Sequence, residues 1–95
     1  MEEVERVRVP REGEVLGVVE SMLGANKMRV RCQDGNMRIA RIPGKLRKRV
    51  WIRERDVILV KPWPIQGETN GDVIWKYRVN QAAWLKKKGI LNMEF

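Results

Sequence analysis

The stretch Lys27-Met28-Arg29-Val30-Arg31-Cys32-Gln33-Asp34-Gly35-Asn36-Met37-Arg38-Ile39-Ala40 decides the fold. Residues 27–33 alternate strictly, with Met28, Val30 and Cys32 on one face and Lys27, Arg29, Arg31 and Gln33 on the other. That is the period-2 signature of a half-buried strand. Asp34-Gly35 is a strong hairpin signal, because both central positions of a type I′ turn need positive φ. A two-residue loop there predicts that Gln33 faces Asn36, Cys32 faces Met37, Arg31 faces Arg38, Val30 faces Ile39 and Arg29 faces Ala40. In this register the apolar partners share one side, and Arg31 stands opposite Arg38, beside Arg29, on the outer face. Opposed like charges cost a few tenths to about 1 kcal/mol unless an anion or a carboxylate relieves them. Such a local conflict hints at function, the plain alternative being that long arginines splay into water.

Working outward, Val15 to Met22 is apolar and β-branched, a strand in which Gly17 suggests a bend or bulge of the kind that curves a small barrel. Leu23-Gly24-Ala25-Asn26 reads as a turn. On the other side, Pro43-Gly44 ends the hairpin, and Lys45 to Arg49 follows as a loop or short turn with Leu46 as its apolar anchor. Val57 to Val60 is an uninterrupted β-branched run, too short for a typical helix, and is expected to be the central buried strand. Pro62-Trp63-Pro64 stops it. Val73 to Val79 alternates again, which makes five strands. Asn80 is expected to cap a helix over Gln81 to Lys88, with Lys86, Lys87 and Lys88 in the last turn where positive charge suits the macrodipole. Gly89 before Ile90 fits a C′ glycine and its hydrophobic contact. The fold class is therefore all-β: a five-stranded OB-fold barrel with a short C-terminal α-helix, against an SH3-like barrel as the competing small-barrel answer. Residues 1–12 read as a flexible acidic N-terminal arm and residues 13–95 as the OB-fold domain with its helix.

Composition excludes most chemistry. A chain of 95 residues makes one small domain. One cysteine and no histidine rule out a disulfide framework, a zinc cluster of the usual kind and a His-based triad. Gly44-Lys45 lacks the P-loop glycine five positions before Gly44, where Ile39 stands. Cys32 lies on the inward face of the hairpin, a buried structural thiol with no histidine to activate it. No cofactor and no metal are expected. No apolar stretch is long enough to span a membrane, and Met-Glu-Glu-Val-Glu is the opposite of a basic signal peptide, so the chain reads as soluble and cytoplasmic.

Charge then locates the site. A net charge of +8 favours a polyanionic partner, most often nucleic acid, because clustered Lys and Arg release condensed counterions on binding phosphate. Residues 1–26 hold three bases and six acids, residues 27–61 twelve bases and three acids, and residues 62–95 five bases and three acids. The net charges of −3, +9 and +2 place more than the whole excess in the middle segment. Stacking platforms for single strands need aromatic side chains on the second and third strands. Here all six aromatics follow that hairpin, so phosphate-dominated recognition of structured RNA is favoured. Trp51, beside Lys48 and Arg49 but flanked by Val50 and Ile52, is equally suited to stack on a base or to pack in the core. Trp63 between two prolines reads as exposed, and Trp75 and Trp84 as core.

These residues resemble a known family, the small translation initiation factors named 1A in archaea and eukaryotes, which are similar to bacterial initiation factor one. The resemblance spans most of the chain and rests on Met22-Leu23-Gly24, the Asp34-Gly35 hairpin, Gly44-Lys45-Leu46-Arg47-Lys48-Arg49-Val50-Trp51-Ile52, Asp56-Val57-Ile58-Leu59-Val60 and Asp72-Val73-Ile74-Trp75-Lys76-Tyr77. It implies an OB barrel in the aminoacyl-tRNA decoding site of the small ribosomal subunit, assisting start-site selection without catalysis. The implied partners are small-subunit RNA, other initiation factors and the initiator tRNA complex, with the protein a monomer off the ribosome. Carried over by position, Lys45, Arg47, Lys48, Arg49 and Trp51 resemble the loop that enters ribosomal RNA. Arg29, Arg31, Arg38 and Arg41 extend the basic face, and Lys76 and Arg78 resemble a second contact. Eukaryotic members carry a basic N-terminal and a long acidic C-terminal tail. This sequence begins acidic and stops at Phe95, which points to the shorter archaeal form. The alternative function is a general RNA chaperone or nucleic-acid-coating protein.

Overall fold

The computed structural model describes residues 7–48 and 50–95. Five strands, β1 (Val15–Gly24), β2 (Lys27–Cys32), β3 (Met37–Arg41), β4 (Val57–Pro62) and β5 (Asn70–Lys76), are joined by two helices, α1 (Gly44–Arg47) between β3 and β4 and α2 (Val79–Lys87) after β5. The sheet closes in the order β1-β2-β3-β5-β4. Every neighbouring pair is antiparallel except β3 with β5. Closure leaves no free sheet edge, which is how a small all-β protein avoids edge-to-edge association. This is the expected OB barrel with a C-terminal helix.

Two apolar clusters explain why the run Val57 to Val60 carries no polar residue. Ile58 and Val60 point into the barrel with Val19, Met28, Val30, Cys32, Ala40 and Val73. Val57 and Leu59 point outward and are covered, with Leu16 and Val18, by Tyr77, Ala82, Leu85, Leu91 and Met93. A strand buried on both faces loses its period-2 polarity. The C-terminal segment is fastened over this second cluster by Gln33, whose Nε2 donates to Ile90 O at 2.9 Å and whose Oε1 accepts from Asn92 N–H at 2.6 Å.

The β2–β3 register differs from the expected one by a residue. Met28 pairs with Ala40, Arg29 with Ile39, Val30 with Arg38 and Arg31 with Met37. The loop holds three residues, Gln33-Asp34-Gly35: Cys32 N–H donates to Asn36 O at 2.9 Å, Gly35 N–H donates to Cys32 O at 3.0 Å, and Gly35 has φ +93°. This is the type I turn closed by a left-handed glycine, the next commonest hairpin after the two-residue loop. A one-residue slip exchanges the faces of the strand. Met37, expected inside, is 46% exposed, and Arg38, expected outside, is 4% exposed. No Arg31–Arg38 opposition exists.

Other boundaries move for local reasons. Gly17 is not bulged but pairs in register with Cys32 and Ile58. It is required because a Cβ there would lie 2.5 Å from Val30 Cγ1. The β1 bulges fall later, between Val19 and Ser21 and between Met22 and Gly24. Helix α2 starts at Val79 with Arg78 as N-cap, earlier than an Asn80 cap would allow, because Gln81 Oε1 accepts the Arg78 backbone N–H at 2.9 Å. Its end follows the expected motif: Ile90 N–H donates to Leu85 O at 2.9 Å, Gly89 N–H donates to Lys86 O at 3.1 Å, and Gly89 has φ +79°. Of the expected arm, residues 1–6 lie outside the described residues. Within residues 7–12, Val7 packs against the second cluster, Arg8 O accepts the Tyr77 hydroxyl and the Arg8 guanidinium sits 5.8 Å above Trp75.

Candidate nucleic-acid interface

Strand alternation puts Lys27, Arg29 and Arg31 on the outer face of β2, since Met28, Val30 and Cys32 fill the interior. Arg41 lies across from Lys27 at the end of β3. The chain then buries Ile42, turns at Pro43 and forms the single turn α1. Leu46 and Val50 pack against the interior cluster, which leaves Lys45, Arg47 and Lys48 on the solvent side. Along the chain the basic residues thus pass from the outer face of β2, through Arg41 at the end of β3, to α1. Arg49 lies outside the described residues.

The eleven residues singled out from the sequence separate into classes that charge counting could not distinguish. Arg29, Lys45, Arg47 and Lys48 are exposed and form no ion pair with a carboxylate among the described residues. Arg31 is half-buried, its Nε 2.8 Å from Glu20 Oε2, with Nη2 donating to Glu94 O at 3.4 Å. The Arg41 Nε stands 3.4 Å from Asp72 Oδ1, and its guanidinium lies 5.7 Å above the Trp63 ring. Lys76 Nζ is 3.3 Å from Asp56 Oδ2 and donates to Trp51 O. Arg78 is exposed at the N-cap of α2.

Arg38 does not belong to the basic face. Its Nε donates to Gly67 O at 2.5 Å, and Nη1 and Nη2 donate to Asp34 Oδ1 and Oδ2 at 3.0 and 2.9 Å. The bidentate pair braces the β2–β3 turn against β3, and the Nε bond to Gly67 ties the same guanidinium to the β4–β5 loop. The hydrogen bond from Arg38 holds the Asp34 carboxyl below the usual carboxylate range, and the same bond raises the Arg38 guanidinium further above its ordinary value. Beside them, burial pushes the Cys32 thiol up, which makes it an inert core thiol.

The tryptophans also sort themselves. Trp51 is 81% exposed, although its neighbour Ile52 is buried, because successive residues of an extended segment face opposite ways. With Met22, Ile52, Arg53 and Glu54 it lines an open groove. Trp63, expected to be exposed, is half-buried, and its Nε1 donates to Asp72 Oδ1 at 3.1 Å. Trp75, expected in the core, is 38% exposed beneath Arg8. Trp84 packs partly buried against the second cluster. Beyond the residues singled out earlier, Lys27 shares the outer face of β2 with Arg29, and Arg53 lines the groove with Trp51. The alternation that puts Lys27 beside Arg29 could have found it, whereas Arg53 carries no periodic signal. Among the described residues no group of three or more His, Cys, Asp or Glu side chains is placed to hold a metal ion. No helix among them is long and apolar enough to cross a membrane.

The family model described as Translation initiation factor 1A / IF-1 matches residues 4–95. The chain is 53% identical over 92 residues to Translation initiation factor 1A of Methanothermobacter thermautotrophicus, spanning 97% of this chain and 93% of that one. It is 58% identical over 91 residues to Translation initiation factor 1A of Methanopyrus kandleri, spanning 96% of this chain and 81% of that one. Among solved structures, the barrel is similar to translation initiation factor one from the Wolbachia endosymbiont of Brugia malayi, with a TM-score of 0.55 and 26% identity, covering 70% of this chain and 78% of that one.

Proposed function

Because the chain belongs to the translation initiation factor 1A / IF-1 family, we propose that it acts in translation initiation by seating this barrel on structured RNA in the decoding site of the small ribosomal subunit. There it assists start-site selection with other initiation factors and the initiator tRNA complex. One observation supports the reading: among the described residues no ion pair engages Lys27 and Arg29 on β2 or Lys45, Arg47 and Lys48 in and after α1, and shortly beyond them along the chain stands an indole that is 81% exposed. Cations without a carboxylate partner exchange only water and counterions for phosphate, so their contribution to binding is not spent on breaking an internal pair. Arg49 belongs to the same run by sequence. Arg31 and Arg41, each with one acidic neighbour, make weaker contacts at its margin, and Arg78 is an outlying contact. Trp51 supplies a π-face for an unstacked base. The protein works as a cytoplasmic monomer, by occupancy rather than catalysis.

Charge reversal tests this. Arg47→Glu with Lys48→Glu should abolish binding to small ribosomal subunits of Methanothermobacter thermautotrophicus at about 0.15 M salt and lower the steepness of the salt dependence by roughly two phosphates' worth. The melting temperature should stay within a few degrees, since both side chains are exposed. Undiminished binding overturns the reading. If unrelated single-stranded RNA competes as well as intact subunits do, the protein is a general RNA coat instead.

A further inference from the structure

We propose that Lys76 is a positioning residue: it latches the segment between α1 and β4, and so presents Trp51 and Arg53, rather than touching RNA itself. The inference rests on the RNA-binding reading for its consequence but not for its geometry. Lys76 lies on β5, opposite Ile58 of β4, and its ammonium reaches across to both ends of the 51–56 segment. At one end it donates to the Trp51 carbonyl. At the other it is 3.3 Å from Asp56 Oδ2. The same carboxylate oxygen accepts the Arg53 backbone N–H at 2.8 Å, and Asp56 N–H donates to Arg53 O at 3.2 Å, closing the turn internally. Arg55, with φ +75°, donates its N–H to Val19 O at 2.8 Å, and Val19 N–H donates to Asp56 O at 3.0 Å, so the turn is also fixed to β1.

These bonds hold the backbone under an indole that makes little packing contact of its own. Ile52 is buried on one side of the strip and Val50 packs on the interior cluster, which orients Trp51 outward; Lys76 then holds the Trp51 carbonyl in place. Both members of the Lys76–Asp56 pair are about three-quarters buried, at 27% and 25% side-chain exposure. A phosphate approaching Lys76 would meet the fixed charge of Asp56. The ammonium is therefore poorly placed as a contact and well placed as a latch, and preorganising an anchor side chain raises affinity by removing ordering cost.

The two roles predict opposite signs for one substitution. Asp56→Asn removes an acid near the interface, so if Lys76 contacts phosphate the change frees it and tightens binding. If Lys76 is a latch, Asp56→Asn weakens binding to Methanothermobacter thermautotrophicus small subunits by about two- to tenfold, the range set by ordering one large side chain. Lys76→Met should weaken it similarly without changing the salt slope, and the double variant should lose little more than either single one. In the free protein, hydrogen exchange should speed up in residues 51–56 for both variants while the barrel strands keep their protection, which separates a local latch from general destabilisation. Tighter binding by Asp56→Asn, a salt slope reduced by about one in Lys76→Met, or unchanged exchange in residues 51–56 would each overturn the proposal. A wild-type protein that failed to bind subunits would overturn the RNA reading alone, because the exchange measurement needs no RNA.

Discussion

Removing the Asp34 carboxylate should expose the consequence of having Arg38 inside the protein. In Asp34→Ala, Arg38 keeps the bond to Gly67 O but loses both guanidinium bonds to the carboxylate, while only 4% of its side chain reaches solvent. Stripping one partner from a fully buried pair costs about 3–5 kcal/mol. Here Asp34 is 39% exposed, so water already screens part of the attraction. Asp34 also accepts the Asn36 backbone N–H at 3.1 Å, a turn bond lost in the same variant. The expected loss is about 2–3 kcal/mol, or roughly 10–20 °C in melting temperature for a domain of this size. Calorimetry or circular dichroism at neutral pH measures it.

The pH dependence supplies a second check with a definite sign. Arg38 depresses the folded-state pKa of Asp34. The pair therefore stabilises the fold fully above the unfolded carboxylate value of about 3.9, and that stability is lost as pH falls through the lower folded value. The gap between wild type and Asp34→Ala should be constant near neutrality and close in acid. The double variant Asp34→Ala with Arg38→Met should be more stable than Asp34→Ala alone, since it removes the stranded charge. A loss below about 0.5 kcal/mol, typical of a neutral surface change, or a gap that persists unchanged in acid, would refute the buried-pair account.

Tyr77, the single tyrosine, has its hydroxyl pushed up to about 12 by burial. Tyrosinate absorbance should thus appear late in an alkaline titration of the folded protein. Because the raised value favours the neutral form, the stability this phenol contributes is complete below about pH 10 and lost as pH climbs toward the folded value. Gly17→Ala should destabilise the barrel by about 1–3 kcal/mol in urea unfolding, because the new Cβ would press on Val30 Cγ1 at 2.5 Å and on the Arg31 carbonyl at 3.2 Å. Wild-type stability in that variant would mean the close approach of β1 and β2 relaxes freely.

Much of the architecture follows from sequence alone, because it depends on short-range periodicity. Alternation over residues 27–33 defines β2 and its two faces, the unbroken apolar run defines the doubly buried β4, and Gly89-Ile90 defines where α2 stops. The concentration of charge between residues 27 and 61 is likewise a property of composition, and it marks the segment that holds Arg29, Lys45, Arg47 and Lys48, which form no ion pair among the described residues.

The pairing of charges is not a local property, and only the folded chain decides it. Met37 and Ile39 compete with Arg38 and Ala40 for the interior of β3, and side-chain polarity alone favours the wrong set. Arg38 wins its buried place because Asp34, four residues away, and the carbonyl of Gly67, far along the chain, converge on its guanidinium. Nothing near Arg38 in sequence announces Gly67. The same is true of Lys76, which meets Trp51 and Asp56 only because β5 runs beside β4. Periodicity reveals which way a residue faces within its own strand. The partner waiting there is set by barrel closure, which brings distant segments within hydrogen-bond reach, and that partner determines whether a cation is free for phosphate or spent inside the fold.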